Sequence, residues 1–97
     1  MDVEFRTRRL QQRYNRSADA VRAWGPVVGG RYVERIDALV DAERIEDVRA
    51  VRNFDLHPLT GDRAGQHAMR LTGQMRLILT IEDDRHVTVE EVVDYHD

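Results

Sequence analysis

The sequence predicts an α+β fold, with N-terminal helices packed on one face of a small, mainly antiparallel sheet. Three observations carry this. Through the first half of the chain, apolar residues recur every three or four positions, the period of a helix with one buried face. After Asn53 the period drops to two, the spacing of strands with one covered face. The last three such runs are joined by short connections, and short links join antiparallel neighbours. At 97 residues the chain is expected to fold as a single domain, 1–97, around one modest core.

Val3–Phe5 alternates around Glu4 and reads as a short edge strand. Thr7 can cap the helix that follows, whose Leu10 and Tyr14 sit four apart on one face. Arg6, Arg8, Arg9, Arg13 and Arg16 surround that stripe, either as a phosphate-tracking surface or as a solvated face. Ser17 is expected to cap a second helix that carries Val21 and Trp24. Gly25-Pro26 ends it and starts another, because proline suits a first helical turn and blocks continuation of the previous one. Trp24 reads as a core plug at this corner. Val28, Tyr32, Ile36, Leu39 and Val40 then form one apolar stripe. Gly29-Gly30 lowers helix propensity but permits close packing on a neighbour. Glu34, Asp37, Asp41 and Glu43 make the outer face acidic. Ile45–Val51 forms a short helical turn, with Asp47 early and Arg49 late, as the helix dipole favours.

Phe54 and Leu56 alternate as a strand that Pro58 ends near His57. Thr60–Gly65 has the residues of a loop. Strands follow at 66–72, 75–81 and 87–95, with Glu82–Arg85 as the turn between the latter two. Parity sets the register. Met75, Leu77, Leu79 and Ile81 share one side and require Met69 and Leu71 to join them beneath the helices. That pairs Leu71 with Met75 and places Arg70 beside Arg76 on the open face; a one-residue slip would undo both. In the last strand Val87, Val89, Val93 and Tyr95 are expected on one side, and Val92, Asp94 and His96 on the other, with Arg76.

The composition, 41% hydrophobic and 34% charged, is that of a soluble globular domain. No run of 18 apolar residues is present, and the opening residues lack the apolar centre of a signal peptide, so no membrane association and a cytoplasmic location are expected. Without cysteine, disulfides and thiolate metal sites are excluded. The net charge of −3 argues against a generic polyanion binder, but the charge is segregated. Residues 1–32 carry seven arginines against three acids, and residues 82–97 one against seven. A nucleic acid would have to dock on the first helix and the central strands.

A histidine before the sheet, His57, and one after it, His96, are candidates for one surface, with Arg70 and Arg76 between them. Imidazoles, a carboxylate and guanidinium groups on one face suit acid-base chemistry on a phosphodiester. His57, His67 and His96 lack ligand spacing for a metal, and no metal, cofactor or small-molecule ligand is expected.

His-Pro-Leu-Thr-Gly-Asp-Arg-Ala-Gly at 57–65, Met-Arg-Leu-Ile at 75–78 and Glu-Glu-Val-Val-Asp-Tyr-His at 90–96 resemble HigB-like toxins of the RelE/ParE superfamily. Ala20–Gly25 and the helix around Arg35-Ile36 also look like one branch of that group, so the likeness runs through nearly the whole chain. It implies the toxin of a bacterial toxin–antitoxin pair, an endoribonuclease that cuts mRNA on the ribosome and is silenced by a helix-turn-helix antitoxin. By the same resemblance His57, Asp94, Tyr95 and His96 fall on catalytic positions and Arg76 on a phosphate-contacting one, while Arg63 belongs to a loop that shapes the site. Many relatives have a lysine after His-Pro-Leu, where this chain has Thr60.

Metal-independent RNA cleavage uses the ribose 2′-OH as nucleophile, which needs one proton removed and another supplied. His96 oriented by Asp94, or Asp94 itself, is the expected base and His57 the expected acid, the direction being open at this level. Arg76, with Arg70, would stabilise the phosphoryl oxygens, and Tyr95 would contact the phosphate or a base. Two alternatives come from the same superfamily: a ParE-like toxin that binds DNA gyrase without catalysis, and an inactive antitoxin-binding relative. His67 and His86 are expected at the surface or rim. The antitoxin is expected on the active face or the basic helix, with the acidic tail and the outer face of the 27–42 helix as other candidates.

Overall fold

One mixed sheet of five strands, in the order β1-β5-β4-β3-β2, organises the chain. The structure is a computed structural model that describes residues 1–94. The elements are β1 (Asp2–Phe5), α1 (Arg8–Asn15), α2 (Ser17–Asp41), α3 (Ile45–Arg49), β2 (His57–Pro58), β3 (His67–Arg70), β4 (Met75–Asp83) and β5 (His86–Asp94). β2, β3, β4 and β5 pair antiparallel in turn, while β1 lies parallel to β5 at the far edge. This is the expected α+β architecture. No helix of the described residues is long and apolar enough to cross a membrane.

The helices lie on one face because their stripes match that face. Leu10, Ala20, Tyr32, Ile36 and Leu39 are buried against Met69, Leu71, Leu77, Leu79, Val87 and Val89. Each large apolar side chain so buried contributes about 1.5–3 kcal/mol. Thr7 caps α1 as expected, its hydroxyl accepting from the Leu10 amide at 3.1 Å. Ser17 does not cap: it is already the first residue of α2, and Arg16 holds the cap position without a side-chain bond. Val40 is 43% exposed and falls outside the stripe, since Leu39 takes the buried position at the helix end.

α2 is two helical segments joined at Gly25, whose φ of 85° and ψ of 167° break the helix before Pro26. The bend folds the second segment back against the first. A Cβ on Gly29 would lie 2.7–2.9 Å from backbone atoms of Ala20 and Val21, so this corner closes only with glycine. Gly30 has open space and no such role. Trp24 packs at the corner against Tyr32, with ring centroids 4.6 Å apart, and the Arg13 guanidinium lies over its ring at 4.8 Å.

The β3–β4 register is the one that parity requires, with Arg70 opposite Arg76 and Met69 opposite Leu77. Two other expectations fail. Phe54 is in a 3-10 turn (Arg52–Phe54) rather than a strand, because Asp55 takes a left-handed φ of 48° and the strand begins only at His57. β5 contains a bulge: Ile78 pairs with Glu91 and Leu79 with Val89, so Glu90 is the extra residue. Glu90 accepts from Thr80 at 2.9 Å and ion-pairs with Arg6 at 2.7 Å, while Glu91 reaches Arg63 at 3.4 Å. The bulge reverses the parity beyond it. Val92, not Val93, joins the main core, and Val93 joins Leu59, Ala68 and Ile78 in a small apolar cluster on the opposite, open face.

Candidate functional site

The open face is assembled from short-range rules. Leu56 is buried beneath the sheet, so the next residue, His57, emerges on the other side. His57 pairs with Ala68, and Arg70 lies two residues further along the same strand, opposite Arg76 on β4. His57, Arg70 and Arg76 therefore share one face, around the floor of Leu59, Ala68, Ile78 and Val93.

His57 is held from behind. Its Nδ1 lies 2.7 Å from the Asp55 carbonyl oxygen and 3.8 Å from Asp55 Oδ2. A carbonyl only accepts, so Nδ1 carries the proton and Nε2 of the neutral ring is an acceptor. The same Asp55 carboxylate stands 3.7 Å from Arg70 Nη2. Asp55 thus links an imidazole and a guanidinium, and it is the only non-glycine residue of the described chain with positive φ. The sequence argument did not single it out. Its signal was an aspartate between a turn and a strand, one of the few residue types that tolerate the left-handed region.

Arg76 is partly buried and turns onto its own hairpin, donating to the carbonyls of Thr72 and Met75. Arg63 donates to Gln66 Oε1 at 3.0 Å and to Glu91 at 3.4 Å, which ties the Gly61–Arg63 turn down over the apolar floor. Thr60 is exposed at the start of this turn. Beside Asp55 a cleft of about 650 Å³ is lined by Arg31, Arg35, Arg52 and Arg70, with Phe54 in its wall. Arg35 is only 7% exposed; it donates to the Arg70 carbonyl at 3.1 Å and lies 4.6 Å over the Phe54 ring. Burial lowers its pKa from the usual arginine value. Sequence reasoning also missed this cleft, whose residues come from α2, a turn and β3.

One expected placement is reversed. Asp94 pairs with Met75, while Val93 pairs with Arg76, so Val93 shares the face of Arg76 and Asp94 does not. The bulge at Glu90 supplies the extra residue that swaps them. Tyr95 and His96 lie outside the described residues. His67 is half-buried on the helix side; its Nδ1 has no hydrogen-bond partner among the described residues. His86 is exposed at the rim between Asp2 and Asp83, at 3.0 and 2.8 Å. Among the described residues no three His, Asp or Glu side chains gather as a metal cage.

No protein-family model and no curated protein matches this sequence. Solved structures do match its fold. A YoeB/ParE toxin from Agrobacterium tumefaciens aligns with a TM-score of 0.58 at 19% identity, covering 99% of this chain and 100% of that one. YafQ from E. coli strain BL21(DE3) aligns with a TM-score of 0.66 at 12% identity, covering 96% and 91%. A YoeB-YefM complex from Staphylococcus aureus aligns with a TM-score of 0.56 at 16% identity, covering 100% and 98%. From end to end, then, this chain has the fold of the YoeB/ParE toxin and of YafQ, carried by a sequence only 19% and 12% identical to theirs.

Proposed function

We propose that this chain is the toxin of a toxin–antitoxin pair of the RelE/ParE type, HigB-like in its motifs, and that its open face cleaves RNA. The observation that carries the reading is His57, oriented through Nδ1 by Asp55 on the same sheet face as Arg70 and Arg76. The likeness in fold to a YoeB/ParE toxin supports it.

The reaction needs no group beyond the RNA and the side chains. The 2′-oxygen attacks phosphorus, its proton passes to a base, and the new P–O2′ bond forms as the P–O5′ bond breaks. The 5′-oxygen leaves with a proton from an acid, giving a 2′,3′-cyclic phosphate and a 5′-hydroxyl. With its proton on Nδ1, the neutral ring of His57 takes the 2′-OH proton at Nε2, one of the two directions that the sequence left open. Tyr95 and His96 are then assigned the donor side and contacts to the phosphate, while Asp94, which pairs with Met75 on the other face, is left out of the site. Arg76 and Arg70 face the phosphoryl oxygens, where one preorganised donor is worth about 3 kcal/mol. We assign mRNA on the ribosome as substrate and an antitoxin as partner; the S. aureus YoeB structure, a complex with YefM, supports the latter.

The test uses ribosome-bound mRNA with a mapped cut site and the same mRNA carrying a 2′-deoxy nucleotide immediately 5′ of it. Cleavage of the first and not the second is expected. Equal cleavage of both would sink the mechanism. A toxin acting by binding alone, as in the ParE-like alternative, would retain full growth arrest as His57→Gln.

A further inference from the structure

The cleft beside the open face has a charge that its own acids do not neutralise. Of its four arginines, Arg35 is engaged by Glu34 and Arg70 by Asp55. Arg31 and Arg52 remain, both exposed. Arg31 spends one donor on the Leu71 carbonyl at 2.8 Å, which fixes the root of its guanidinium and leaves further N–H groups for a ligand. The Arg52 side chain makes no hydrogen bond or ion pair among the described residues. Buried Arg35, already paired with Glu34, lines the same cleft and leaves Arg31 and Arg52 as its uncompensated cations. Guanidinium forks converging in a concave site suit a planar or tetrahedral oxyanion.

Position selects the anion. Asp55 and Arg70 are walls of the cleft and also the residues that contact His57 and face Arg76. A strand whose reacting linkage sits at His57 reaches this cleft by crossing the shared wall of Asp55 and Arg70.

We infer that the cleft of Arg31, Arg52 and Arg35 is a second phosphate subsite, which grips the RNA backbone one linkage away from the reacting one. This rests on the RNA-cleaving reading of the open face. It adds that the strand enters or leaves past the 3-10 turn at Arg52–Phe54.

The probe is an eight-nucleotide RNA with 2′-O-methyl groups throughout, which binds without being cut. Its affinity is measured against salt for the native chain and for Arg31→Gln/Arg52→Gln. Both positions are exposed, and the melting temperature is recorded as a check on folding. Affinity is expected to fall about tenfold, and the slope of log affinity against log salt to shrink by about 0.7 for the lost phosphate contact. Unchanged affinity and slope would overturn the subsite, as would a native chain that does not bind the probe. Unchanged RNA affinity with weakened inhibition by the antitoxin would instead assign the cleft to the protein partner. The cleavage reading fails separately: if His57→Gln still cuts RNA while the arginine variant loses affinity, the subsite stands and the role of His57 does not.

Discussion

Arg70 and Arg76 stand directly opposite one another on β3 and β4, two guanidinium groups on one face of an antiparallel pair. Like charges so placed oppose sheet formation. Each is relieved separately, Arg70 by Asp55 at 3.7 Å and Arg76 by the carbonyls of its own hairpin. Two cations held together against the single carboxylate of Asp55 leave this face suited to an anionic ligand. Gln substituted at each position and at both, in a double-mutant cycle followed by urea unfolding, should show repulsive coupling of about 0.2–1 kcal/mol. Either single variant should change stability by less than about 1 kcal/mol yet lower RNA cleavage by roughly 10²-fold. Attractive coupling would mean that the pair is structural.

His57 and Asp55 should separate chemistry from backbone strain. His57→Gln is expected to lower cleavage by roughly 10²–10⁴-fold with little change in melting temperature or antitoxin binding. Asp55→Gly and Asp55→Ala both remove the carboxylate, so both should slow cleavage, by about tenfold, a small part of what a positioned proton carrier supplies. Their stabilities should differ. Glycine accepts the φ of 48° and alanine does not, so the glycine variant should be the more stable by about 1 kcal/mol. Equal stability would show that the turn relaxes when the side chain is lost.

Gly29 and Gly30 are neighbours with opposite expected responses. Gly29→Ala forces a Cβ into the backbone of Ala20 and Val21 and should cost about 1–3 kcal/mol. Gly30→Ala adds a Cβ in open space within a helix and should stabilise by up to about 1 kcal/mol. Denaturant midpoints of the two variants test the corner at Gly25 directly. A stabilised Gly29→Ala would mean that the two segments of α2 do not pack as described.

Two histidines outside the site should shape stability against pH in opposite senses. His67 is held below the ordinary value of 6.5, first by burial and then by the charges of Arg49 and His57. Folding therefore favours its neutral ring. Above 6.5 it is neutral in both states, and as pH falls through that value the unfolded chain takes the proton first and stability drops. His86 is held above 6.5, first by its hydrogen bond to Asp83 and then by that residue's charge, with Asp2 adding to both. Its contribution is full below 6.5 and is lost as pH rises through the raised folded value. Thermal melts should show that His67→Gln flattens the fall in stability between about pH 7 and 5. His86→Gln should lower the melting temperature at about pH 6 and leave it unchanged at about pH 9. The reverse pattern would mean that the two environments are misassigned.

What the chain order alone determined is what periodicity and single-residue stereochemistry can carry. The stripe of Tyr32, Ile36 and Leu39, the break at Gly25-Pro26 and the pairing of Arg70 with Arg76 follow from local spacing, because one buried face admits one parity. So His57, Arg70 and Arg76 were legible as members of one face before any coordinates. Three features were decided only by tertiary contacts. The bulge that exchanges Val93 for Asp94 exists because Glu90 finds Thr80 on β4 and Arg6 beyond β1, residues far apart in sequence. Asp55 orients His57 only once a 3-10 turn has driven it into the left-handed region. Arg35, on the helix stripe by spacing alone an ordinary surface cation, is buried because the Arg70 carbonyl and the Phe54 ring receive it. A pattern of period two or 3.6 reports which side of an element is covered. Which distant group meets it there is set by packing, and that is where His57 and the arginine-lined cleft acquire their geometry.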